Sequence, residues 1–359
     1  MLQRVQKLPQ PVRIGLFVGA ALAILALLVL VTLAVGVAIV QNTPRLAAVP
    51  LAEGYQVAEY MTLPDEDAYP ATVAVDAAGT VYTGSYVSGA VWALDTRQTL
   101  REIPESRRLI GSVTAISAAP DGSLYILDRI SPLEALGAKV WRLASDDSLT
   151  LLRDFTGQDA DTLQLPDDLA VDAQGSLYIT DRGIDHNHDV IYRIAADGTE
   201  GVWWQSPPVM NQRAYAPTGL AYSPEKNALY VTDSILDLVY EVPIGPDGAA
   251  GENRVVYDRR FGNEETPPGF DGVSVAPDGR IFLSGLGNNR VGVYDPSTGL
   301  LTYIAGNFRG AADVVYDPLT QRLFVANWDQ RSLLPTPVLF ISVQTRPHLP
   351  FAIDVVTPG

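Results

Sequence analysis

The chain repeats itself six times, and no other feature limits its fold as tightly. The segments read PATVAVDAAGTVYTGS from Pro70, VTAISAAPDGSLYILD from Val113, PDDLAVDAQGSLYITD from Pro166, PTGLAYSPEKNALYVTD from Pro217, FDGVSVAPDGRIFLSG from Phe270 and AADVVYDPLTQRLFVAN from Ala311. Their turn positions, Gly79, Gly122, Gly175, Asn227, Gly279 and Gln321, are separated by 43, 53, 52, 52 and 42 residues. Within each unit an alternating stretch such as Leu169-Ala170-Val171 predicts a strand, and Asp172-Ala173-Gln174-Gly175 a tight turn needing positive φ at its last residue. Leu177-Tyr178-Ile179-Thr180 predicts a second strand. Third strands follow a variable loop, as in Val91–Leu94 and Val190–Arg193, and a further turn leads to an outer strand. Four antiparallel strands per unit, six times over, predict an all-β, six-bladed β-propeller. Tyr55–Met61 is expected to supply the outer strand of blade six, with Pro350–Val356 competing for the same edge.

Ahead of the repeats, Ile14–Val40 is an apolar run of 27 residues whose only conventionally polar side chain is Thr32. At about 1.5 Å per residue it reaches roughly 40 Å, enough to cross a hydrocarbon core of about 30 Å with tilt. Secretory signal peptides have apolar cores of about 7–15 residues, so the run is read as an uncleaved transmembrane anchor helix. The expected organisation is a basic cytoplasmic tail (1–13), the anchor (14–40), a linker (41–54) and the propeller (55–359).

Charge divides at the anchor. The chain carries 25 Lys+Arg against 41 Asp+Glu, for −16 overall. Removing Arg4, Lys7 and Arg13 leaves 22 basic against 41 acidic side chains, or −19, beyond Val40. The positive-inside rule then predicts a single-pass membrane protein with its N-terminus cytoplasmic and the acidic propeller outside. An acidic body repels phosphates, which argues against a nucleic-acid partner. The absence of Cys excludes disulfides, thiolate metal sites and a Cys nucleophile. No Gly-x-Ser-x-Gly, His-Glu-x-x-His, phosphate-binding loop or dinucleotide fingerprint occurs.

Propellers bind ligands where inner strands begin and second strands end. Here the inner ring is Ala71, Thr114, Asp167, Thr218, Asp271 and Ala312, with Thr72, Ala115, Asp168, Gly219, Gly272 and Asp313 beside it. Second strands end at Gly84, Asp128, Asp181, Asp233, Gly285 and Asn327. Seven carboxylates (Asp128, Asp167, Asp168, Asp181, Asp233, Asp271 and Asp313) are thus expected on one face, where a hard cation could find oxygen ligands. Asp at strand ends also commonly accepts backbone N–H bonds and locks neighbouring blades, so each has a structural reading too. The loop Asp181–Asp189 carries two of the three histidines, His186 and His188, read either as a proton shuttle or ligand pair or as a solvated polar loop. Trp328 and Tyr86 follow second strands as pocket walls or inter-blade packing.

The Pro-Asp or Pro-Thr-Gly start, the Val-Asp-x-x-Gly turn and the Leu-Tyr-Ile-Thr-Asp end resemble a superfamily of six-bladed propellers. It groups the senescence marker protein (regucalcin)/gluconolactonase family, strictosidine synthase-like proteins and NHL-repeat domains. Tyr82-Thr83-Gly84 followed by Gly89-Ala90-Val91-Trp92 is similar to the strictosidine synthase-like branch. The gluconolactonase resemblance implies one divalent cation, Ca²⁺ or Zn²⁺, at the channel mouth. Its ligands, a Glu, two Asn and an Asp that also acts as base, fall on Ala71, Asp167, Thr218 and Asp271 in this chain. The condensing Glu of strictosidine synthase falls at Gly285-Leu286, so that chemistry has no counterpart.

Two functions follow as expectations. One is a tethered binding propeller that takes a small-molecule or protein ligand on its acidic face, with Asp168, Arg182, His188, Thr218 and Trp328 in contact. The other is a metal-assisted lactone or ester hydrolase in which Asp167 and Asp271 hold Ca²⁺ or another divalent cation and Asp271 or His186 activates water. No organic cofactor is expected.

Overall fold

In the computed structural model, residues 9–42, 44–131, 137–156, 163–183, 189–207, 216–262, 266–333, 336–338 and 341–359 are described. They form two compact units. One comprises the N-terminal helix with Gln330–His348, and the other Leu46–Asp329 with Leu349–Gly359. The helix, Gln10–Gln41, is long and apolar enough to cross a membrane.

The second unit is a six-bladed, four-stranded antiparallel propeller. Blade one is built of Pro70–Val75, Val81–Ser85, Val91–Leu94 and Leu100–Glu102, from the inside outward. Blades two to five repeat this order from inner strands Val113–Ala118, Pro166–Val171, Pro217–Ser223 and Phe270–Val275. All six expected turn residues have positive φ: 81°, 82°, 84° and 89° at Gly79, Gly122, Gly175 and Gly279, and 48° and 55° at Asn227 and Gln321. Glycine reaches this region freely and Asn tolerates it, which is why a short hairpin loop selects them.

Blade six takes both candidate edge segments. Ala352–Pro358 is its third strand and Tyr55–Thr62 its outer strand, so the two ends of the propeller pair with each other instead of competing. The cause is a long excursion: the second strand ends at Asn327 and the chain returns only at Ala352. Val49–Pro50 adds a short fifth strand outside blade five, extending the ordered chain into the expected linker.

Strand interiors pack blade against blade. Val91, Val113, Ile116 and Ile126 join blades one and two; Leu127, Val140, Leu169 and Ile179 join two and three. Similar clusters fill the three-four, four-five and five-six interfaces. Polar links sit nearer the axis. Asp168 Oδ2 accepts from Leu220 N (2.6 Å), tying blade three to four. Asp313 Oδ2 accepts from Val73 N (2.9 Å) and Thr72 Oγ1 (3.1 Å), closing blade six onto one. Gly272 has no side chain because a Cβ there would lie 2.5 Å from Asp313 Oδ1.

Removing Asp313 would strand the Val73 and Val314 amides, at about 1–3 kcal/mol each. Asp313→Ala should therefore lower the melting temperature of the full-length protein in detergent by roughly 4–24 °C, given about 2–4 °C per kcal/mol for a domain this large. A fall no greater than that of the surface variant Asp278→Ala would show that this link does not hold the ring closed.

Candidate functional site

One irregularity recurs in all six inner strands. The register against the second strand slips near the start of each, between Pro70 and Thr72, Val113 and Ala115, Pro166 and Leu169, Pro217 and Leu220, Phe270 and Val273, and Ala311 and Asp313. A bulge removes a residue from the ladder and re-aims its side chain. The bulges hold the inner-ring residues Ala71, Thr114, Asp167, Thr218, Asp271 and Ala312.

The second strands end at Ser85, Asp128, Asp181, Asp233, Gly285 and Asn327, which pair with Pro70, Val113, Pro166, Pro217, Phe270 and Ala311. In blade one the end is therefore Ser85, one residue beyond the expected Gly84. These side chains serve the backbone. Asp128 Oδ1 accepts from Gly111, Ser112 and Ile130 amides at 2.8–3.1 Å, and its Oδ2 from Trp141 Nε1 at 3.2 Å. Asp181 accepts from Gln164, Leu165 and Gly183, and Asp233 from Ala216, Ile235 and Leu236.

Each latch fixes the residue after it. Tyr86, Arg129, Ser234, Leu286 and Trp328 donate their amides to Tyr69, Ser112, Ala216, Gly269 and Gly310 carbonyls, the same bond in five blades. With Arg182, which follows Asp181, the post-strand ring reads Tyr86, Arg129, Arg182, Ser234, Leu286 and Trp328. Three of these had been singled out from the sequence: Arg182 and Trp328 as ligand contacts, and Tyr86, like Trp328, as a pocket wall or inter-blade packing residue. Arg129 was not, although its place after Leu-Tyr-Ile-Leu-Asp is the same repeat position as Arg182.

Of the seven expected carboxylates, five are engaged elsewhere. Asp128, Asp181 and Asp233 are latches. Asp168 and Asp313 are inter-blade links, and both line a cavity of about 600 Å³ that opens among Ala77, Pro120, Ala173, Pro224 and Pro318, on the turn side of the channel. Asp168 Oδ1 also takes its neighbour's Leu169 N at 2.7 Å. Burial, and then the Asp313 charge, push its carboxyl well above the usual range. Asp168 is thus a buried link within the channel rather than a mouth group. Thr218 is buried, and its hydroxyl donates to Phe270 O at 3.1 Å and lies 3.2 Å from Thr232 Oγ1. His186 and His188 lie outside the described residues.

Asp167 and Asp271 remain, and the charges of both act on Arg182. The Asp167 charge, more than that of Asp271, raises the guanidinium's pKa further. Burial pushes the Asp271 carboxyl well above its usual range; Asp167 adds to this and Arg182 opposes it. The Tyr86 phenol belongs to the same cluster. Burial raises its pKa, and the Arg129, Asp167, Arg182 and Asp271 charges all act on it. Its oxygen accepts from Arg129 Nη1 at 3.1 Å, and its ring meets Trp328 edge-on at 4.7 Å.

These residues do not fit a divalent cation. Ala71 offers no donor, the Thr218 hydroxyl is held by a carbonyl, and a guanidinium already supplies positive charge beside the two remaining carboxylates. Among the described residues, no group of three His, Cys, Asp or Glu is placed to hold a metal ion.

A sequence profile of the SMP-30/gluconolactonase/LRE-like region matches residues 109–326. The chain belongs to that family. Its structure is similar to a gluconolactonase from Xanthomonas campestris (18% identity, 89% of this chain and 99% of that one, TM-score 0.59). It is also similar to virginiamycin B lyase from Staphylococcus aureus (11%, 84% and 99%, TM-score 0.57) and to a luciferin-regenerating enzyme (15%, 87% and 95%, TM-score 0.59). At these identities the likeness concerns the fold. No curated protein matches the chain in sequence. Divalent metals are typical of the family.

Two further buried carboxyls have raised pKa values. Asp189 is 4% exposed, and burial, followed by the Asp233 and Asp181 charges, pushes its carboxyl up to about 7. Burial raises Asp237 to about 6. A folded-state pKa above the unfolded value near 4 contributes stability that is complete below about pH 4 and lost as pH rises through the folded value. For Asp189 the full change is about 4 kcal/mol. The melting temperature should therefore fall between pH 5 and pH 8, and Asp189→Asn should flatten that decline while stabilising the protein at pH 8. A wild-type slope unchanged in Asp189→Asn would refute the assignment.

Proposed function

We propose that this chain is a membrane-tethered, small-molecule-binding propeller whose site is the channel mouth and which does not depend on the family's metal. The observation that carries this reading is that the Asp167 and Asp271 charges act on the Arg182 guanidinium, a fixed positive charge, where relatives of the gluconolactonase type would place a metal's ligands. The helix Gln10–Gln41 supports tethering, and the basic residues ahead of it support an extracytoplasmic propeller.

A second reading has one specific support. The Asp271 carboxyl, held protonated to unusually high pH beside Tyr86 and Arg182, is suited to give a proton to the leaving oxygen of a lactone or ester. Gluconolactonases are among the structural neighbours, which makes a lactone the first substrate to try.

Melting of the full-length protein in neutral detergent, with Ca²⁺ or Zn²⁺ added or with EDTA, separates the readings. The expected result is no shift with any of the three, and no δ-gluconolactone hydrolysis above the spontaneous rate. A Ca²⁺-dependent rise in melting temperature that Asp167→Asn or Asp271→Asn removes would overturn the metal-independent reading. Metal-independent lactone hydrolysis lost in Asp271→Asn, with melting unchanged, would establish the second. For topology, a reporter fused after Gly359 should be active outside the cytoplasm; cytoplasmic activity would reverse the orientation.

A further inference from the structure

Several buried hydrogen-bond donors at the mouth have no partner among the described residues. Arg129 is 6% exposed, and among the described residues no carboxylate lies within ion-pair distance of it. One of its nitrogens reaches Tyr86, but its buried Nε has no partner. The Nε of Arg182 and the Nε1 of Trp328 are buried without partners as well. Thr114 Oγ1, on the inner ring next to Asp167, is the fourth such atom. Guanidinium and indole groups only donate, and a guanidinium cannot shed its proton to escape burial. A buried charge without a partner costs several kcal/mol, and a fold keeps one where something else completes it.

These groups converge. Tyr86 feels Arg129, Arg182, Asp167 and Asp271 together and touches Trp328 through its ring edge. What is missing is an acceptor. A carboxylate offers two oxygens, about four lone-pair directions and no donor, and it matches the guanidinium fork. Charge favours one negative charge over two: the Asp167 charge already acts on Arg182, so a phosphate dianion would add repulsion. The aromatic edges of Tyr86 and Trp328 suit an organic body.

We propose that the channel mouth binds a small organic carboxylate, its head group held by Arg129 and Arg182 and its body set against Tyr86 and Trp328. This rests on the mouth being the binding site, and it names the class of ligand. It also accounts for the metal ligands having been replaced: a guanidinium takes an anion directly, where a cation would be needed to bridge carboxylates to it. If the second reading of the site holds, the open acid formed from a lactone belongs to this same class.

The test uses full-length protein in neutral detergent, with melting temperature and tryptophan fluorescence as readouts. The probes are sodium benzoate and sodium gluconate, against benzamide, glucose and inorganic phosphate at matched ionic strength. Both readouts should respond to the carboxylates and not to benzamide or glucose. Arg129→Met and Arg182→Met should weaken the midpoint at least about tenfold, equivalent to about 1.4 kcal/mol. Arg129→Met should also raise the melting temperature without ligand, because an unpartnered buried charge has gone. No carboxylate response, a response kept in both variants, or a ligand-free Arg129→Met protein that melts lower would each overturn the proposal. A response to phosphate or glucose alone that Asp167→Asn or Asp271→Asn changes would also overturn it, while leaving the mouth as the binding site.

Discussion

Every inner strand of the propeller has a second strand on one side and no strand on the other. Its free edge faces the next blade across the channel, and those backbone groups need partners if the ring is to close dry. Side chains from the preceding blade supply them. Thr72 Oγ1 accepts from Ile116 N, Asp168 from Leu220 N, Ser274 Oγ from Tyr316 N and Asp313 from Val73 N. Hydroxyls work in the other sense: Thr180, Thr232 and Ser284 donate to the carbonyls of Thr218, Asp271 and Ala312 in the following blades. The apolar clusters supply most of the burial between blades, and this polar lacing sets their angular register.

The lacing also determines which groups remain for a ligand. Carboxylates at the bulge and strand-end positions are largely consumed by it, and an acidic face counted from sequence shrinks to Asp167 and Asp271. The residues after Asp128 and Asp181 are both arginines, and the Arg129 amide is held by the Ser112 carbonyl. The mouth of an acidic protein thereby acquires a local surplus of cationic donors. The raised carboxyls of Asp189, Asp237 and Asp271 share one cause, burial among groups already committed to backbone bonds.

Family membership and local chemistry point in different directions here, and the local chemistry is the more specific. The fold is shared with lactonases and with a streptogramin lyase, which differ in reaction and place their chemistry on a common scaffold. In this chain all six inner strands carry the same bulge, and the side chains held there are those of Ala71, Thr114, Asp167, Thr218, Asp271 and Ala312.

The sequence by itself determined the architecture. Six turn residues at regular spacing, alternation on either side of them and a long apolar helix are local signals, each set by backbone sterics or by the two-residue period of a strand. Ring closure was half legible: both terminal segments read as strands, but that they occupy adjacent places in one blade depends on the long excursion from Asn327 to Ala352, which no periodicity describes. The repeat positions of Asp167, Asp271, Arg182 and Trp328, on the inner ring and after the second strands, were legible from the sequence. What the sequence could not separate was Asp167 from Asp168, adjacent residues of which one serves the mouth and the other the next blade, or show that the Thr218 hydroxyl is held by Phe270 O. Only the tertiary structure decided those, and it alone showed Arg129 buried with no carboxylate within ion-pair distance among the described residues, because groups contributed by neighbouring blades lie about fifty residues away along the chain.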